Sequence, residues 1–216
     1  MPHRLVVLRV AAAAAVTAMF GLLGCSNPNE GSSVAVLGDS ITTFDQADMT
    51  QQLGKDYKLT ISGNYGKTVE QVIPEAEVVS TRTYDQVIIN LGTNDSIGNL
   101  PTASSMDFLK QMISMFPDAK CIHLVNINEN MVDIANGQSV SAAAERFNKA
   151  LEELVGTDQR LSIVDWNAET AATLNDKSPR WSTLTKDSVH PTEEGNRKLN
   201  ALYAGALRAC DNPLGL

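Results

Sequence analysis

Short apolar runs alternate with longer segments of helical periodicity along most of the chain, and this alternation constrains the fold more than any other feature. Val34-Ala35-Val36-Leu37 is continuously apolar. Residues 86–91, 121–127 and 161–165 are similar runs, and 57–62 is a weaker one. Runs this short and this apolar read as strands buried on both faces. Between them, residues 68–79 carry Val69, Val72, Ile73, Ala76 and Val79 at helical spacing. Residues 104–116, 139–155 and 192–209 repeat the pattern, the last with Leu199, Leu202, Tyr203, Ala206 and Leu207. Strands that alternate with helices predict a parallel sheet covered on both faces, a three-layer α/β/α sandwich with five strands. In such a sheet the ligand crevice lies beyond the carboxyl ends of the strands. The residues that follow each strand are therefore the ones to inspect.

The chain has 216 residues, and its ends do not share this pattern. Arg4 and Arg9 precede an apolar stretch over residues 10–23, too short for a membrane span, which needs about 20 apolar residues. It closes on Leu22-Leu23-Gly24-Cys25, which resembles the bacterial lipobox. Residues 1–24 are thus expected to be a lipoprotein signal peptide, with Cys25 lipidated after cleavage; an ordinary signal peptide or an uncleaved anchor is the alternative. Residues 25–33 hold turn formers and no apolar side chain beyond the cysteine, the composition of a flexible tether. The folded domain is then 34–210, the right size for one core. The protein is expected to be exported, lipid-anchored to the bacterial cell membrane, extracytoplasmic and monomeric. Net charge is −8. Removal of the leader takes two arginines with it and deepens that charge. With no basic stripe, nucleic-acid binding is disfavoured.

Three segments at the expected crevice carry chemically useful groups. Gly38-Asp39-Ser40 follows the first strand and presents a hydroxyl; it could equally be a strand-to-helix turn capped by Asp39 or Ser40. Gly92-Thr93-Asn94-Asp95 follows the third strand and offers an amide. Asp187-Ser188-Val189-His190-Pro191 places a carboxylate three residues before a histidine, so that it can fix the tautomer and leave the other ring nitrogen to take a serine proton. His123 lies inside the fourth strand and reads as a satisfied core histidine, which leaves His190 as the candidate base. The sequence offers no metal-ligand cluster and no phosphate-cradling loop, so no cofactor or metal is expected.

Gly38-Asp39-Ser40, Gly66, Gly92-Thr93-Asn94-Asp95 and Asp187-Ser188-Val189-His190 resemble, in order and approximate spacing, the four blocks of the SGNH (GDSL-type) hydrolases. The resemblance runs from about residue 34 to 207. It implies a flavodoxin-like SGNH fold with Ser40 as nucleophile, His190 as general base then acid, and Asp187 orienting His190. It also implies an oxyanion hole made by the N–H groups of Ser40 and Gly66 with the Asn94 side chain. Gly63 is the fallback for Gly66. Val164-Asp165-Trp166, Trp181 and the Asp187–His190 block further resemble the SGNH domains of bacterial envelope O-acetyltransferases, although both tryptophans could be plain core residues.

What this implies is a serine esterase that cleaves short acyl esters, O-acetyl above all, from cell-envelope glycans or lipids through an acyl-serine. An envelope O-acyltransferase with the same triad is the first alternative. A non-catalytic glycan-binding lipoprotein is the second, and the intact blocks speak against it. Two cysteines remain, Cys121 and Cys210. One opens the fourth strand and the other ends the last helix, so both should reach the sheet edge opposite the crevice. Export permits a disulfide, and direction permits it too; lateral distance is not given by the sequence, so two free thiols are the alternative.

Overall fold

The computed structural model describes residues 31–178 and 180–213. The leader, Cys25 and most of the tether lie outside the described residues. Five strands, β1 (Ser33–Gly38), β2 (Lys58–Gly63), β3 (Gln86–Asn90), β4 (Cys121–Val125) and β5 (Leu161–Val164), form one parallel sheet in the order β2-β1-β3-β4-β5. The connections turn one way from β1 to β2 and the other way onward to β3, so the topological switch point lies between β1 and β3. Ligands in open α/β sheets bind at that point. The three-layer, flavodoxin-like expectation therefore describes the fold.

Alternate residues of each strand face opposite layers. Ala35, Leu37, Val87, Ile89, Ile122 and Leu124 pack with α4 (Thr102–Ser114) and α5 (Ser141–Val155). Val34, Val36, Ile88, Val125 and Val164 face α1 (Ser40–Leu53) and α7 (Glu193–Asp211) on the other side. His123 shares that second face. Its Nδ1 lies 2.7 Å from Ser162 Oγ and its Nε2 2.9 Å from Gln86 Oε1. Burial lowers its pKa to about 4, so it is a neutral, fully paired core side chain.

The helical expectations shift in informative ways. The pattern over 68–79 is interrupted: Glu70–Val72 is a 3₁₀ turn and α2 (Ile73–Val79) begins beside Pro74. Proline is tolerated in a first turn but cannot donate within a helix. β1 begins at Ser33, one residue earlier than the expected start of the domain, and α7 continues through Asp211. Short helices α3 (Thr93–Ile97) and α6 (Trp166–Ala171) follow β3 and β5. Trp166 is buried among core residues, whereas Trp181 is half-buried beneath Lys177.

At the lower edge of the sheet the sulfur atoms of Cys121 and Cys210 are bonded, with Cα atoms 6.2 Å apart. The same edge holds Gln86 Nε2, which donates to Asp211 Oδ1 at 2.8 Å, and Ser32 Oγ, which donates to the same oxygen at 2.6 Å. The end of α7 is thus fixed to β3, to β4 and to the residue before β1 at once.

Candidate active site

The site begins with the exit from β1. Gly38 ends the strand with no room for a side chain: a Cβ there would meet Thr42 Oγ1 at 1.9 Å. Asp39 then caps α1, its Oδ1 accepting from Ile41 N–H at 2.9 Å. A capped helix start fixes the next residue, Ser40, at the head of α1 with its side chain in the crevice. The Ser40 N–H, in the first turn, has no acceptor among the described residues. It sits at the positive end of the helix dipole, where negative charge is favoured.

Ser40 Oγ lies 2.9 Å from His190 Nε2, and His190 Nδ1 lies 2.8 Å from Asp187 Oδ2. The carboxylate at Nδ1 assigns the proton to that nitrogen and leaves Nε2 free to accept from the serine. Asp187 Oδ1 also accepts from the backbone N–H groups of His190 at 2.7 Å and Val189 at 3.1 Å. Burial raises the Asp187 pKa, but the bonds from His190 and Val189 outweigh it and hold the carboxyl below its ordinary value. The group stays ionised, as an orienting anion must.

The loop that carries this pair is built by residues whose part in it the sequence does not announce. Ser188 adopts φ 72°, in the left-handed region. A non-glycine residue held there costs on the order of 1 kcal/mol, and three bonds hold it. Asn128 Nδ2 donates to Ser188 O at 3.0 Å, Val132 N–H donates to Ser188 Oγ at 3.1 Å, and Ser188 Oγ donates to Val132 O at 3.2 Å. The reversal at Ser188 is what lets side chains three residues apart converge. Beyond the loop, Thr192 caps α7 by accepting from Gly195 N–H. Gly195 is required there: a Cβ would meet Leu184 O at 2.1 Å.

The other proposed oxyanion donors lie on the segments that follow β2 and β3. Gly66 lies in a turn at φ 68°, exposed, with no acceptor for its N–H among the described residues. Gly63 is instead the last residue of β2, where a Cβ would meet the Thr43 backbone at 2.6 Å; its smallness serves the close packing of α1 on the sheet. Asn94, at the start of α3, donates through Nδ2 to Lys67 O at 3.0 Å and to Asp39 Oδ2 at 3.3 Å. An oxyanion would compete for the longer of these bonds. Catalytic hydrogen bonds are often loose before substrate binds. Asp95 faces away, accepting from Val69 N–H and Ser105 Oγ, and so shapes the loop. Burial pushes the Asp39 carboxyl up to about 7 against the Ile41 bond, with nearby Asp95 adding to the rise.

The three residues expected as a triad thus converge from the ends of β1 and from the loop before α7. Asn94 stands across the switch point from them, behind β3. Among the described residues, no group of three or more His, Cys, Asp or Glu side chains is arranged to hold a metal ion. The arrangement can activate a hydroxyl, stabilise a tetrahedral intermediate and protonate a leaving alkoxide.

Comparison with known proteins identifies the family and the fold. The family model for GDSL-like lipases and acylhydrolases matches residues 36–198. Comparison with curated protein sequences finds no significant match. Among solved structures, the chain is similar to a Bacteroides fragilis protein assigned as an acylhydrolase, with TM-score 0.68, 19% identity, and 85% of this chain and 90% of that one covered. It is similar to the C-terminal catalytic domain of a Streptococcus pneumoniae peptidoglycan O-acetyltransferase, with TM-score 0.61 and 17% identity over 84% and 96% of the chains. A psychrotrophic esterase of Pseudoalteromonas also matches, with TM-score 0.56 and 18% identity over 84% and 99%. At these identities the structures speak for the fold alone. The family match spans most of the chain: this protein belongs to the GDSL-like lipase/acylhydrolase family, the SGNH hydrolases, and is a serine ester hydrolase.

Proposed function

We propose that this hydrolase removes short acyl groups, O-acetyl foremost, from saccharides or lipids of the bacterial cell envelope, while a lipid on Cys25 holds it at the membrane. The observation that carries the reading is the continuous Ser40–His190–Asp187 chain of hydrogen bonds, 2.9 Å and 2.8 Å long. As Ser40 Oγ attacks the ester carbonyl, its proton passes to His190 Nε2, and the imidazolium is held by Asp187. Charge builds on the carbonyl oxygen, which the N–H groups of Ser40 and Gly66 and the Asn94 amide receive. His190 then protonates the leaving sugar oxygen. A water activated by the same imidazole releases the acyl group from Ser40.

The rim supports a sugar ester over a long alkyl ester. Around the nucleophile stand an imidazole, an amide, exposed Lys67 and Lys186, and the rings of Phe44 and Tyr65. The place where the chain enters the folded domain supports the anchor. Ser32 is tied to the far end of α7, at the edge of the sheet opposite the crevice. A tether leaving there would aim the crevice away from the membrane.

An assay of acetate release from O-acetylated saccharides, with and without a glycan acceptor, tests the proposal. Free acetate at a rate independent of acceptor is expected. Acetyl transfer to the acceptor would make the protein a transferase, and no acetyl chemistry at all would overturn the reading. Membrane fractionation of the wild type and Cys25→Ser checks the anchor: release of the variant is expected, and an unmodified Cys25 in the wild type would contradict lipidation.

A further inference from the structure

Aromatic residues make up only 5% of this chain, yet two of the five exposed large hydrophobic side chains among the described residues are aromatic and stand together at the catalytic histidine. Phe44 lies one helical turn beyond Ser40 on α1, on the same face, and is 48% exposed. Tyr65, immediately before Gly66, is 67% exposed. Their ring centroids are 5.7 Å apart, and Phe44 is 5.2 Å from the His190 ring, both edge-to-face. Lys186 Nζ sits 4.8 Å from the centroid of Phe44. Two residues after Tyr65, exposed Lys67 stands in the loop and its carbonyl holds Asn94.

The charge at this rim runs against that of the whole molecule. The chain carries −8, but among the described residues neither Lys186 nor Lys67 has a carboxylate within salt-bridge range. The Asp187 carboxylate next to Lys186 is committed to His190. Among the described lysines only Lys110 and Lys120 find acidic partners, Asp107 and Asp85; what sets Lys186 and Lys67 apart is their place beside the exposed rings and the nucleophile. Exposed rings with adjacent unpaired ammonium groups, one residue from the nucleophile's loop partners, suit a ligand with a flat apolar face and a negative charge. A pyranose offers the first on its C–H face, and a carboxylate or phosphate substituent offers the second. An alkyl chain would use the rings and leave the ammonium groups without a role.

We propose that Phe44, Tyr65 and Lys186 form a saccharide subsite beside Ser40 that selects O-acylated sugars bearing an anionic substituent. The subsite rests on the reading of Ser40 as an ester-cleaving nucleophile. Tyr65 and Phe44 carry the ring, and Lys186 the charge. Lysine is a point charge rather than a fork, so carboxylate and phosphate should both serve.

The test compares kcat/KM for mono-O-acetylated methyl glucuronoside, acetylated glucose phosphate and acetylated methyl glucoside, with p-nitrophenyl acetate and octanoate alongside. The wild type should favour both anionic sugars over the neutral one by about fivefold, the size of an exposed ion pair, and added salt should compress the preference. Lys186→Gln, a change at an exposed side chain, should erase the preference, and Lys186→Arg should keep it. Tyr65→Ala should raise KM for all three sugars by about tenfold. Phe44 is left intact because its ring also packs on His190. Lys110→Ala, remote on α4, should match the wild type. An anionic preference that survives Lys186→Gln, or no preference in the wild type, overturns the subsite. So does octanoate outpacing acetate with the difference lost in Tyr65→Ala, which would make the rings an alkyl site. A wild type inert toward every ester would instead defeat the Ser40 reading on which the subsite rests.

Discussion

Asp45→Asn should stabilise the protein, and by more at neutral pH than at acid pH. Asp45 lies on α1 and faces α7, with no exposed surface. Its Oδ1 accepts from Asn200 Nδ2 at 2.9 Å, while its Oδ2 and Asn200 Oδ1 are both buried without a hydrogen-bond partner among the described residues. Burial pushes the carboxyl up to about 8, against the Asn200 bond, and the Asp48 carboxylate adds to the rise. The sign follows from proton counts. The folded pKa lies above the ordinary 3.8, so between about pH 4 and pH 8 the folded state holds a proton that the unfolded state has lost. Stability then falls as pH rises, by about 1.4 kcal/mol per pH unit for this one group. An amide of the same shape carries no such cost, and its NH₂ can donate to the orphaned Asn200 Oδ1. The gain from Asp45→Asn should therefore be larger at pH 7 than at pH 5 by about 2.7 kcal/mol. Asp39, also raised, is common to both proteins and drops out of the difference. Equilibrium urea unfolding of the two proteins at the two pH values measures this. A gain that does not change with pH, or a variant less stable at pH 7, would refute the reasoning.

Ser40→Ala and His190→Ala should each abolish turnover of a short p-nitrophenyl ester, by similar factors because the two act as a unit, while Asp187→Ala keeps more activity; far-UV circular dichroism checks that each variant folds. Asn94→Ala should lower kcat by 10²- to 10³-fold, about 2.7–4 kcal/mol for one oxyanion donor, with KM little changed in steady-state assays. Replacing both Cys121 and Cys210 by serine should lower unfolding free energy by roughly 2–4 kcal/mol in urea titrations, and the unreduced, denatured wild-type domain should show neither thiol free. Gly63→Ala should destabilise through the Thr43 backbone, 2.6 Å from the added Cβ, and thermal unfolding should register the loss.

The sheet was legible in the sequence because its strands are buried on both faces, and burial writes itself as unbroken apolar runs such as Val34–Leu37 or Gln86–Asn90. Helix α1 was not legible. The layer between α1 and α7 is partly polar, with Thr42, Asp45 and Asn200 buried where apolar periodicity would have been the signal. Helix α7 showed itself by Leu199, Tyr203 and Leu207, and α2 was read too long because Val69 and Val72 keep the helical period through a 3₁₀ turn. At the site, Ser40, Asn94, Asp187 and His190 could be named because their chemistry restricts residue choice. Ser188, Asn128 and Val132 could not: what they supply is a left-handed turn and three hydrogen bonds, and nothing in an isolated Ser or Asn announces that. A serine between an acid and a base, where the chain must reverse within three residues, is the one available hint. Gly66 was preferred to Gly63 through the helical pattern that follows it, and the coordinates add a physical difference, a positive φ in one and a crowded Cβ position in the other.

The central claim is that Ser40 becomes covalently acylated, and trapping that intermediate tests it most directly. The protein would be mixed with p-nitrophenyl acetate, quenched in acid within the burst, digested and sequenced by mass spectrometry. The account predicts a single acetyl group on the peptide bearing Ser40, absent from Ser40→Ala and accumulating in a variant with slowed deacylation. An acetyl group on another residue, with Ser40 unmodified and turnover intact, would contradict it.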